Sequence, residues 1–161
     1  MPEAVQFAGE AKISKEVVFT CDHAAMIAAR DSVVDLVREY CEGEQEEIDI
    51  FLALQEALAN AVVHGCQGDP SKSIHCRIGV DADAITIVIR DPGRGFDVAA
   101  IDAAGTNLSE HGRGISLMRG LMDEVTYLRG GSEVRLRKLR PKRITEAESS
   151  VKSTPSENRP L

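Results

Sequence analysis

The chain has 161 residues with 19 Lys or Arg and 26 Asp or Glu, a formal net charge of −7. This length allows one domain with a substantial core, and the scarcity of aromatic residues (4%, no Trp) predicts that the core is aliphatic. No apolar run approaches the roughly 20 residues needed to span a bilayer, and the N-terminus shows no signal-peptide pattern. Because the acidic balance also disfavours non-specific nucleic-acid binding, we expect a cytoplasmic protein with neither a membrane nor a direct nucleic-acid partner.

The first half of the chain predicts one strand followed by two helices. Val17–Thr20 has the β-branched and aromatic character of a short strand, and Asp22 is a suitable N-cap for the first helix. A second helix is expected from about Glu46, with Gly65 as its left-handed C-terminal cap. Gln55 interrupts the apolar face of this helix, and the sequence offers no reason for it.

In the second half, the apolar period changes to two, which is typical of strands. Residues 74–80 and 85–89 alternate between apolar and polar side chains and predict a hairpin with one buried face. Residues 92–111 are rich in Gly, Asp and Asn and predict a long loop, a feature that is usually functional or mobile. A short helix at about 115–122 follows, and then two more strands within 124–139.

The order β-α-α-β-β-loop-α-β-β predicts an α+β two-layer sandwich, with a mixed, mostly antiparallel sheet and helices on one face. Since apolar and polar residues alternate along the strands, the other face of the sheet should meet solvent or a partner. We divide the chain into an N-terminal extension (1–14), one domain (15–139) and a polar tail (140–161) that we predict to be disordered.

The chain has four cysteines and no CxxC pair: Cys21, Cys41, Cys66 and Cys76. Without an export signal, we expect reduced thiols. His75 and Cys76 are adjacent in a predicted strand, so their side chains leave on opposite faces, which disfavours a metal site shared with His64.

Three polar residues lie one turn apart on the second predicted helix: Glu56, Asn60 and His64. Spacings of four place them in one stripe beside the apolar face. An Asn oxygen there can ligate Mg²⁺, which prefers few protein ligands plus phosphate oxygens, and a Glu can accept a proton from an attacking hydroxyl. Taken alone, the triplet is better explained as the solvated edge of an amphipathic helix.

A second motif, Asp91-Pro92-Gly93-Arg94-Gly95, follows the second strand of the hairpin. Asp91 has the parity of the buried strand positions, so its carboxylate should face the helices and need a partner such as the exocyclic amine of adenine. Gly93 and Gly95 allow the backbone to approach a flat ligand or to adopt a positive φ. A simple turn after the strand explains the motif equally well.

A third motif, Gly112-Arg113-Gly114, opens the short helix. Glycines before a helix expose backbone N–H groups at the positive end of the helix dipole, an arrangement that suits phosphate. Alone, this motif indicates no more than a helix start. In this order, and with a long loop between them, the three motifs are specific as a set.

That set resembles the N, G1 and G2 boxes of the histidine-kinase-like (GHKL, Bergerat-fold) ATPases. Within this superfamily, the runs Glu56–Gly65 and His111–Met118, followed by Leu121–Val125, resemble the bacterial anti-sigma-factor serine/threonine kinases. The resemblance covers about residues 15–139. It implies the Bergerat ATP-binding fold, which would hold ATP and Mg²⁺ between sheet and helices under the loop 96–111 as a lid.

The resemblance also implies roles for the residues of the motifs. Asn60 would ligate Mg²⁺, Asp91 would receive the adenine amine, and Gly93 and Gly95 would border the base. The backbone around Gly112, Arg113 and Gly114 would hold phosphates, with His64 nearby. Glu56 would orient or deprotonate a Ser or Thr hydroxyl of a partner protein. Many relatives carry a basic residue where this chain has Val63, which removes one possible phosphate contact.

The implied function is an anti-sigma-factor kinase that phosphorylates an anti-sigma-factor antagonist and sequesters a sigma factor, with a homodimer as a possible assembly. A non-catalytic nucleotide-binding module that controls a signalling partner is the alternative, left open by Val63. The acidic stretch Asp35–Asp49 fits a solvated face or a partner surface. Six basic residues between Arg135 and Arg143 are interpreted as an edge strand entering a charged tail, since no aromatic residues interleave them.

Charge is distributed unevenly along the chain. Residues 1–134 carry 11 basic and 23 acidic side chains, a net charge of −12. An ATP site in so acidic a body requires that Mg²⁺ and backbone amides, rather than lysines, neutralise the phosphates. We therefore expect nucleotide binding to depend strongly on divalent metal.

Overall fold

The computed structural model describes residues 12–103 and 110–141, which contain five strands and four α-helices. The strands are β1 (Ile13–Thr20), β2 (Ser73–Val80), β3 (Ala84–Arg90), β4 (Glu124–Leu128) and β5 (Glu133–Leu139). The helices are α1 (His23–Val37), α2 (Glu44–Asn60), α3 (Val98–Ala103) and α4 (Glu110–Leu121). A π-helical turn, Ala61–Gly65, continues α2.

The five strands form one sheet in the order β1-β2-β3-β5-β4, and each of these pairings is antiparallel. The predicted α+β sandwich with helices on one face is confirmed. β5 lies between β3 and β4, so the prediction that residues from Arg135 onward begin in an edge strand is wrong. The β4–β5 hairpin joins β3 through its second strand, and strand periodicity carries no information about that choice.

The core lies between the sheet and the packed helices α1, α2 and α4, and it is aliphatic, as the composition predicts. Ile85 and Ile87 of β3 are completely buried in it. On the opposite face of the sheet, Val88 lies between Arg77 and Arg135 in the register and is only 3% exposed. The aliphatic stems of long side chains in such flanking positions can cover an apolar neighbour.

Two local features of the helices follow from side-chain hydrogen bonds. Asp22 caps α1 as predicted, and its carboxylate accepts a hydrogen bond of 2.8 Å from the Ala25 N–H. Gln55 on α2 accepts a hydrogen bond of 2.7 Å from the Arg30 guanidinium on α1. This contact between helices accounts for the polar residue that the apolar pattern of α2 left unexplained.

The end of α2 differs from its predicted form. Gly65 has no positive φ; the left-handed residues are Gln67 and Gly68, with φ of 55° and 76°. The π-helical turn carries the helical path through Gly65 and moves the break by two residues. Gly65 is small for another reason, which concerns Asp91 and is given below.

The predicted loop 92–111 contains helical structure, because α3 spans Val98–Ala103 and α4 already begins at Glu110. Gly112–Gly114 therefore lie inside α4 and do not precede it. Glycine is a poor helix former, but the close packing of α4 against α2 requires small residues and outweighs that preference.

The cysteines also differ from expectation. Cys21 and Cys66 form a disulfide with Cα atoms 6.0 Å apart, so the prediction of reduced thiols is wrong for this pair, whereas Cys41 and Cys76 are free. The two cysteines are 45 residues apart in sequence, and folding brings the end of β1 beside the end of the π-helical turn. Cysteine spacing alone does not encode such a long-range contact.

The domain boundaries remain a prediction. Most of the extension 1–14 and the tail 140–161 lies outside the described residues, as do residues 104–109 of the expected lid. Within the described part of the chain, no helix has both the length and the apolar character that a bilayer crossing requires.

Candidate nucleotide site

A cavity of about 430 Å³ lies between α2 and the sheet, beside the end of β3. Four of the predicted site residues line it: Asn60, His64, Asp91 and Gly95. The other lining residues are Ala57, Ala61, Gly65, Gln67, Ile89, Phe96, Ile101, Tyr127, Gly131 and Val134. The cavity has the size of a small-molecule site. Its described lining holds one carboxylate and neither lysine nor arginine.

Asn60 and His64 reach the cavity from the end of α2 and from the π-helical turn. In the described part of the structure, the side-chain nitrogen of Asn60 is buried and has no hydrogen-bond partner. A buried amide without a partner costs free energy, so this group is suited to a ligand. Rotating the amide exchanges its oxygen and nitrogen, which lets Asn60 present either an acceptor or a donor.

Asp91 lies immediately after β3, on the face covered by helices, as its parity predicts. Its N–H donates to the Ser132 carbonyl (3.0 Å), and its carboxylate accepts from the Gly93 N–H (2.7 Å). Burial raises the pKa of this carboxyl, and the hydrogen bond from Gly93 only partly opposes that shift. A half-buried carboxylate with one protein donor can accept further hydrogen bonds from a ligand.

Gly65 and Gly93 are required by the close approach of two chain segments at Asp91. A Cβ at Gly65 would lie 2.3 Å from the carboxyl carbon of Asp91. A Cβ at Gly93 would lie 2.8 Å from both the Asp91 carboxylate and the Gly65 Cα. The π-helical turn and the segment after β3 therefore pack backbone to backbone, and this packing fixes the Asp91 carboxylate in the cavity wall.

Gly95 supports the opposite wall. It has a φ of 74°, and a Cβ there would lie 2.0 Å from the Gly130 carbonyl oxygen. The next residue, Phe96, donates its N–H to that same carbonyl (2.9 Å). The ring of Phe96 packs edge-to-face on Tyr127, with centroids 5.1 Å apart. Glycine thus lets the segment after β3 meet the β4–β5 turn and place an aromatic pair on the cavity.

Glu56 lies outside the cavity lining but beside Asn60, at the contact of α2 with α4. A Cβ at Gly114 would lie 2.7 Å from the Glu56 Oε2 atom and 3.6 Å from the Asn60 side-chain nitrogen. Gly114 is buried at this contact. The first and third sequence motifs therefore meet in space, although α4 begins earlier than expected.

Gly112 and Arg113 belong to the first turn of α4, at the positive end of the helix dipole. Gly112 is buried. Arg113 is exposed and borders a shallow surface depression with Ser116 and Leu117 rather than the cavity. The early start of α4 keeps both residues among the helix-terminal N–H groups that suit an anion.

α3 is the described part of the segment that we predict to act as a lid. Ile101 of α3 lines the cavity, and Asp102 forms an ion pair with Arg119 of α4. Burial raises the pKa of Tyr127, which faces the same region. The ion pair therefore joins α3 to α4 beside the aromatic wall.

Sequence reasoning did not identify the aromatic wall or Gln67 as lining residues. A signal for the wall exists, because Tyr127 has the inward parity of β4 and Phe96 directly follows Gly95 in a chain poor in aromatic residues. Gln67 gave no signal, since its position depends on the left-handed turn after the π-helical segment.

The residues present fit Mg²⁺ brought in by a nucleotide. Among the described residues, no three His, Cys, Asp or Glu side chains come together to hold a metal ion. Mg²⁺ in nucleotide sites keeps waters and phosphate oxygens and takes only one or two protein ligands. The Asn60 side-chain nitrogen has no hydrogen-bond partner within the described ranges, so the amide is free to turn its oxygen towards the ion.

Comparison with known proteins agrees with this geometry. The family model described as a histidine kinase-like ATPase domain matches residues 19–138. A serine-protein kinase RsbW of Bacillus licheniformis is 35% identical over 86 residues, 48% of this chain and 54% of the relative. An anti-sigma F factor of Anoxybacillus flavithermus is 28% identical over 107 residues, 63% of this chain and 66% of the relative. The chain spans between about half and two thirds of these relatives.

A solved structure shares the fold. The crystal structure of the RsbU and RsbW domains of a Mycobacterium tuberculosis protein matches with a TM-score of 0.55 and 20% identity, covering 83% of this chain and 35% of that chain. At this identity the similarity concerns the fold alone. The family match runs from the end of β1 to the last residues of β5 and confirms the resemblance seen in the motifs. The chain belongs to the histidine kinase-like ATPase domain family.

Proposed function

We propose that this protein is an ATP-binding anti-sigma-factor serine/threonine kinase, which phosphorylates an anti-sigma-factor antagonist and sequesters a sigma factor. The main observation in support is that Asn60, His64 and Asp91, from two separate motifs, line one cavity in a chain of this family. The names of the relatives, a serine-protein kinase and an anti-sigma F factor, support the choice. The proposal places the protein in the cytoplasm and allows a homodimer.

In this proposal, the adenine ring occupies the cavity beside Asp91. The carboxylate accepts a hydrogen bond from the exocyclic amine, which is a donor that guanine lacks at the same ring position. Phe96 and Tyr127 provide an apolar wall for the base, and Gly95 allows that wall to form. Asp91 must be ionised to act only as an acceptor, so its raised pKa makes base recognition sensitive to acid.

The phosphates would lie between the end of α2 and the first turn of α4. Mg²⁺, when bound with ATP, neutralises phosphate charge, and Asn60 is the residue that would hold it. Backbone N–H groups in the first turn of α4, those of Gly112 and Arg113 among them, would bind phosphate oxygens at the positive end of the helix dipole. His64, which lines the same cavity, would donate a hydrogen bond to a phosphate oxygen.

Glu56 is the proposed general base. Its carboxylate accepts the proton of a Ser or Thr hydroxyl on the antagonist while that oxygen bonds to the γ-phosphorus and the bond to the departing ADP oxygen breaks. Its carboxylate lies beside Asn60 and Gly114, which supports a place next to the proposed phosphate region. Residues of the chain therefore position both reactants, which is the main contribution of a protein to phosphoryl transfer.

Labelled ATP and a recombinant antagonist of the sulfate-transporter/anti-sigma-antagonist type test this proposal. We expect label on a Ser or Thr of the antagonist, and we expect Glu56→Gln to abolish it. Glu44→Gln, an exposed carboxylate at the start of the same helix, is the matched control and should transfer like the wild type. Equal transfer by wild type and Glu56→Gln would show that Glu56 is not the base.

The alternative is a module that binds nucleotide and controls a partner without catalysis. Val63 motivates it, because this position is 63% exposed and carries no basic side chain. Val63 also lies outside the cavity lining, so the presence of valine instead of a basic residue at this position leaves the proposed adenine region intact. Nucleotide binding without transfer to any antagonist encoded nearby would select this alternative.

A further inference from the structure

The disulfide between Cys21 and Cys66 lies next to the wall of the cavity. Cys21 follows β1, and Cys66 follows the π-helical turn. The two neighbours of Cys66 in the chain, Gly65 and Gln67, both line the cavity. The S–S bond therefore attaches a short piece of the cavity wall to the end of the sheet.

The surroundings of the disulfide keep both cysteines near each other. The Cys66 N–H donates to the Ala61 carbonyl (3.0 Å), and the Cys21 N–H donates to the Lys72 carbonyl (3.0 Å). The Lys72 ammonium group in turn donates to the Cys66 carbonyl (3.4 Å). Because these bonds do not involve sulfur, the pair stays in place when the S–S bond is broken, and it can form again.

The wall segment itself is held in an uncommon conformation. Gln67 has a φ of 55°, which residues other than glycine rarely adopt, and it comes directly after a π-helical turn, a rare element. Such a conformation persists only where the surroundings determine it. The disulfide is a covalent restraint at the residue between the two lining positions.

The remaining cysteines are poorly suited to oxidation. Burial raises the pKa of Cys76 to about 12, and the same effect, together with nearby carboxylates, raises that of Cys41 to about 11. Their thiols stay protonated, and the thiolate is the form that reacts. Cys21 and Cys66 are buried as well, so what distinguishes this pair is that each sulfur lies within bonding distance of the other.

We propose that Cys21 and Cys66 form a reversible redox site, oxidised by peroxide and reduced by dithiols, whose disulfide state tightens nucleotide binding. This proposal rests on the proposed nucleotide cavity. In a reducing cytoplasm a disulfide is usually transient and serves catalysis or redox sensing, which agrees with a regulatory pair. When the disulfide is formed, this part of the cavity wall is already ordered before the nucleotide binds, so less conformational freedom is lost on binding.

The chemistry balances with peroxide as oxidant. One thiolate attacks a peroxide oxygen, the O–O bond breaks, and a sulfenic acid and water form after proton transfer. The second thiolate attacks the sulfenic sulfur, the S–S bond forms, and a second water leaves. The pair gives up two electrons and two protons in total, and a dithiol reductant returns them.

The test compares the full chain after treatment with hydrogen peroxide and after treatment with dithiothreitol. Alkylation in denaturant, followed by peptide mass mapping, reports whether Cys21 is joined to Cys66. Titration with a fluorescent ATP analogue and Mg²⁺ reports affinity. We expect the mapped cross-link only after peroxide, and roughly tenfold tighter binding in that state. Cys21→Ser should bind like the reduced wild type under both treatments, whereas Cys41→Ser should keep the shift.

The outcomes are distinguishable. Absence of the cross-link after oxidation, or equal affinity in the two states, overturns the redox proposal and leaves the nucleotide site standing. Formation of the cross-link without nucleotide binding in either state overturns the proposed function, and redox control of that binding with it. Because the main comparison uses unmutated protein, a folding defect of the serine variants cannot decide the result.

Discussion

Gly114 and Gly120 lie on the same helix, α4, but differ in what their α-carbons face. A Cβ at Gly114 would come within 2.7 Å of the Glu56 carboxylate, whereas a Cβ at Gly120 would meet nothing within 4 Å. Since the carboxylate is the flexible end of a side chain, Gly114→Ala should displace it without unfolding the protein. We expect phosphoryl transfer to fall roughly tenfold or more, measured with labelled ATP.

Gly120→Ala is the matched control for this change. It should keep the wild-type rate of transfer and raise the free energy of unfolding by up to about 1 kcal/mol, because alanine favours the helix. Urea denaturation measures that gain. Unchanged transfer by Gly114→Ala would mean that the carboxylate of Glu56 does not need its position beside α4.

Asp91 is the residue whose charge state matters most to the cavity. Burial raises its folded-state pKa above the unfolded value, so its contribution to stability is present below the unfolded pKa and is lost as the pH rises through the folded one. Asparagine does not ionise, so Asp91→Asn does not lose this stability as the pH rises. We expect the variant to gain stability over the wild type as the pH rises from 4 towards 7, and to bind nucleotide much more weakly.

Urea denaturation between pH 4 and pH 7, together with nucleotide titration, checks this expectation. Asp83→Asn, which changes an exposed carboxylate in the β2–β3 turn, should show neither effect. A stability difference between Asp91→Asn and the wild type that does not vary with pH would contradict the assigned burial effect.

At the scale of elements, Lys138 of β5 joins the sheet to two helices. Its ammonium group donates to the Leu121 carbonyl at the end of α4 (2.7 Å) and to the Asp49 carboxylate on α2 (3.1 Å). The side chains of Lys138 and Asp49 are only 16% and 18% exposed. Burial alone would raise the Asp49 pKa, but hydrogen bonds from Gln45 and Lys138 prevail and lower it.

Lys138→Met should therefore lower the free energy of unfolding by about 1–3 kcal/mol at neutral pH, because two charged hydrogen bonds are lost in a partly buried place. The Asp49 part of this effect is present above the unfolded pKa and disappears as the pH falls through the lowered one. Arg38→Met, which breaks pairs with Asp35 and Glu47 on the surface, is the comparison and should change stability little. Equal losses for the two variants would exclude Lys138 as a structural connection.

Elements with local signals were predictable from the sequence, and those determined by packing were not. The cap at Asp22 and the hairpin of β2 and β3 follow from a few neighbouring residues. The helical path of α4 from Glu110 through Gly114 depends on packing, because Gly114 lies directly against Glu56 of α2. The place of β5 inside the sheet depends on the pairing of distant strands.

The same distinction applies to the site. Helical spacing brought Asn60 and His64 to one cavity, and strand parity placed Asp91 opposite them. The reason for Gly65 could not be read from sequence, because it lies in the distance to Asp91, 26 positions further along the chain. The Cys21–Cys66 pair is long-range in the same way.

For the whole molecule, the distribution of charge predicts how nucleotide binding depends on metal. Residues 1–134 have a net charge of −12, and the described lining of the cavity includes a carboxylate but neither lysine nor arginine. The electrostatic repulsion between these acidic residues and the phosphates must be offset by Mg²⁺, Asn60 and the N-terminus of α4. We expect ATP to bind at least roughly tenfold more weakly in excess chelator than in millimolar Mg²⁺, and adenosine, which has no phosphates, to bind equally in both. Calorimetric titration measures both ligands, and equal ATP affinity with and without Mg²⁺ would show that backbone amides alone neutralise the phosphates.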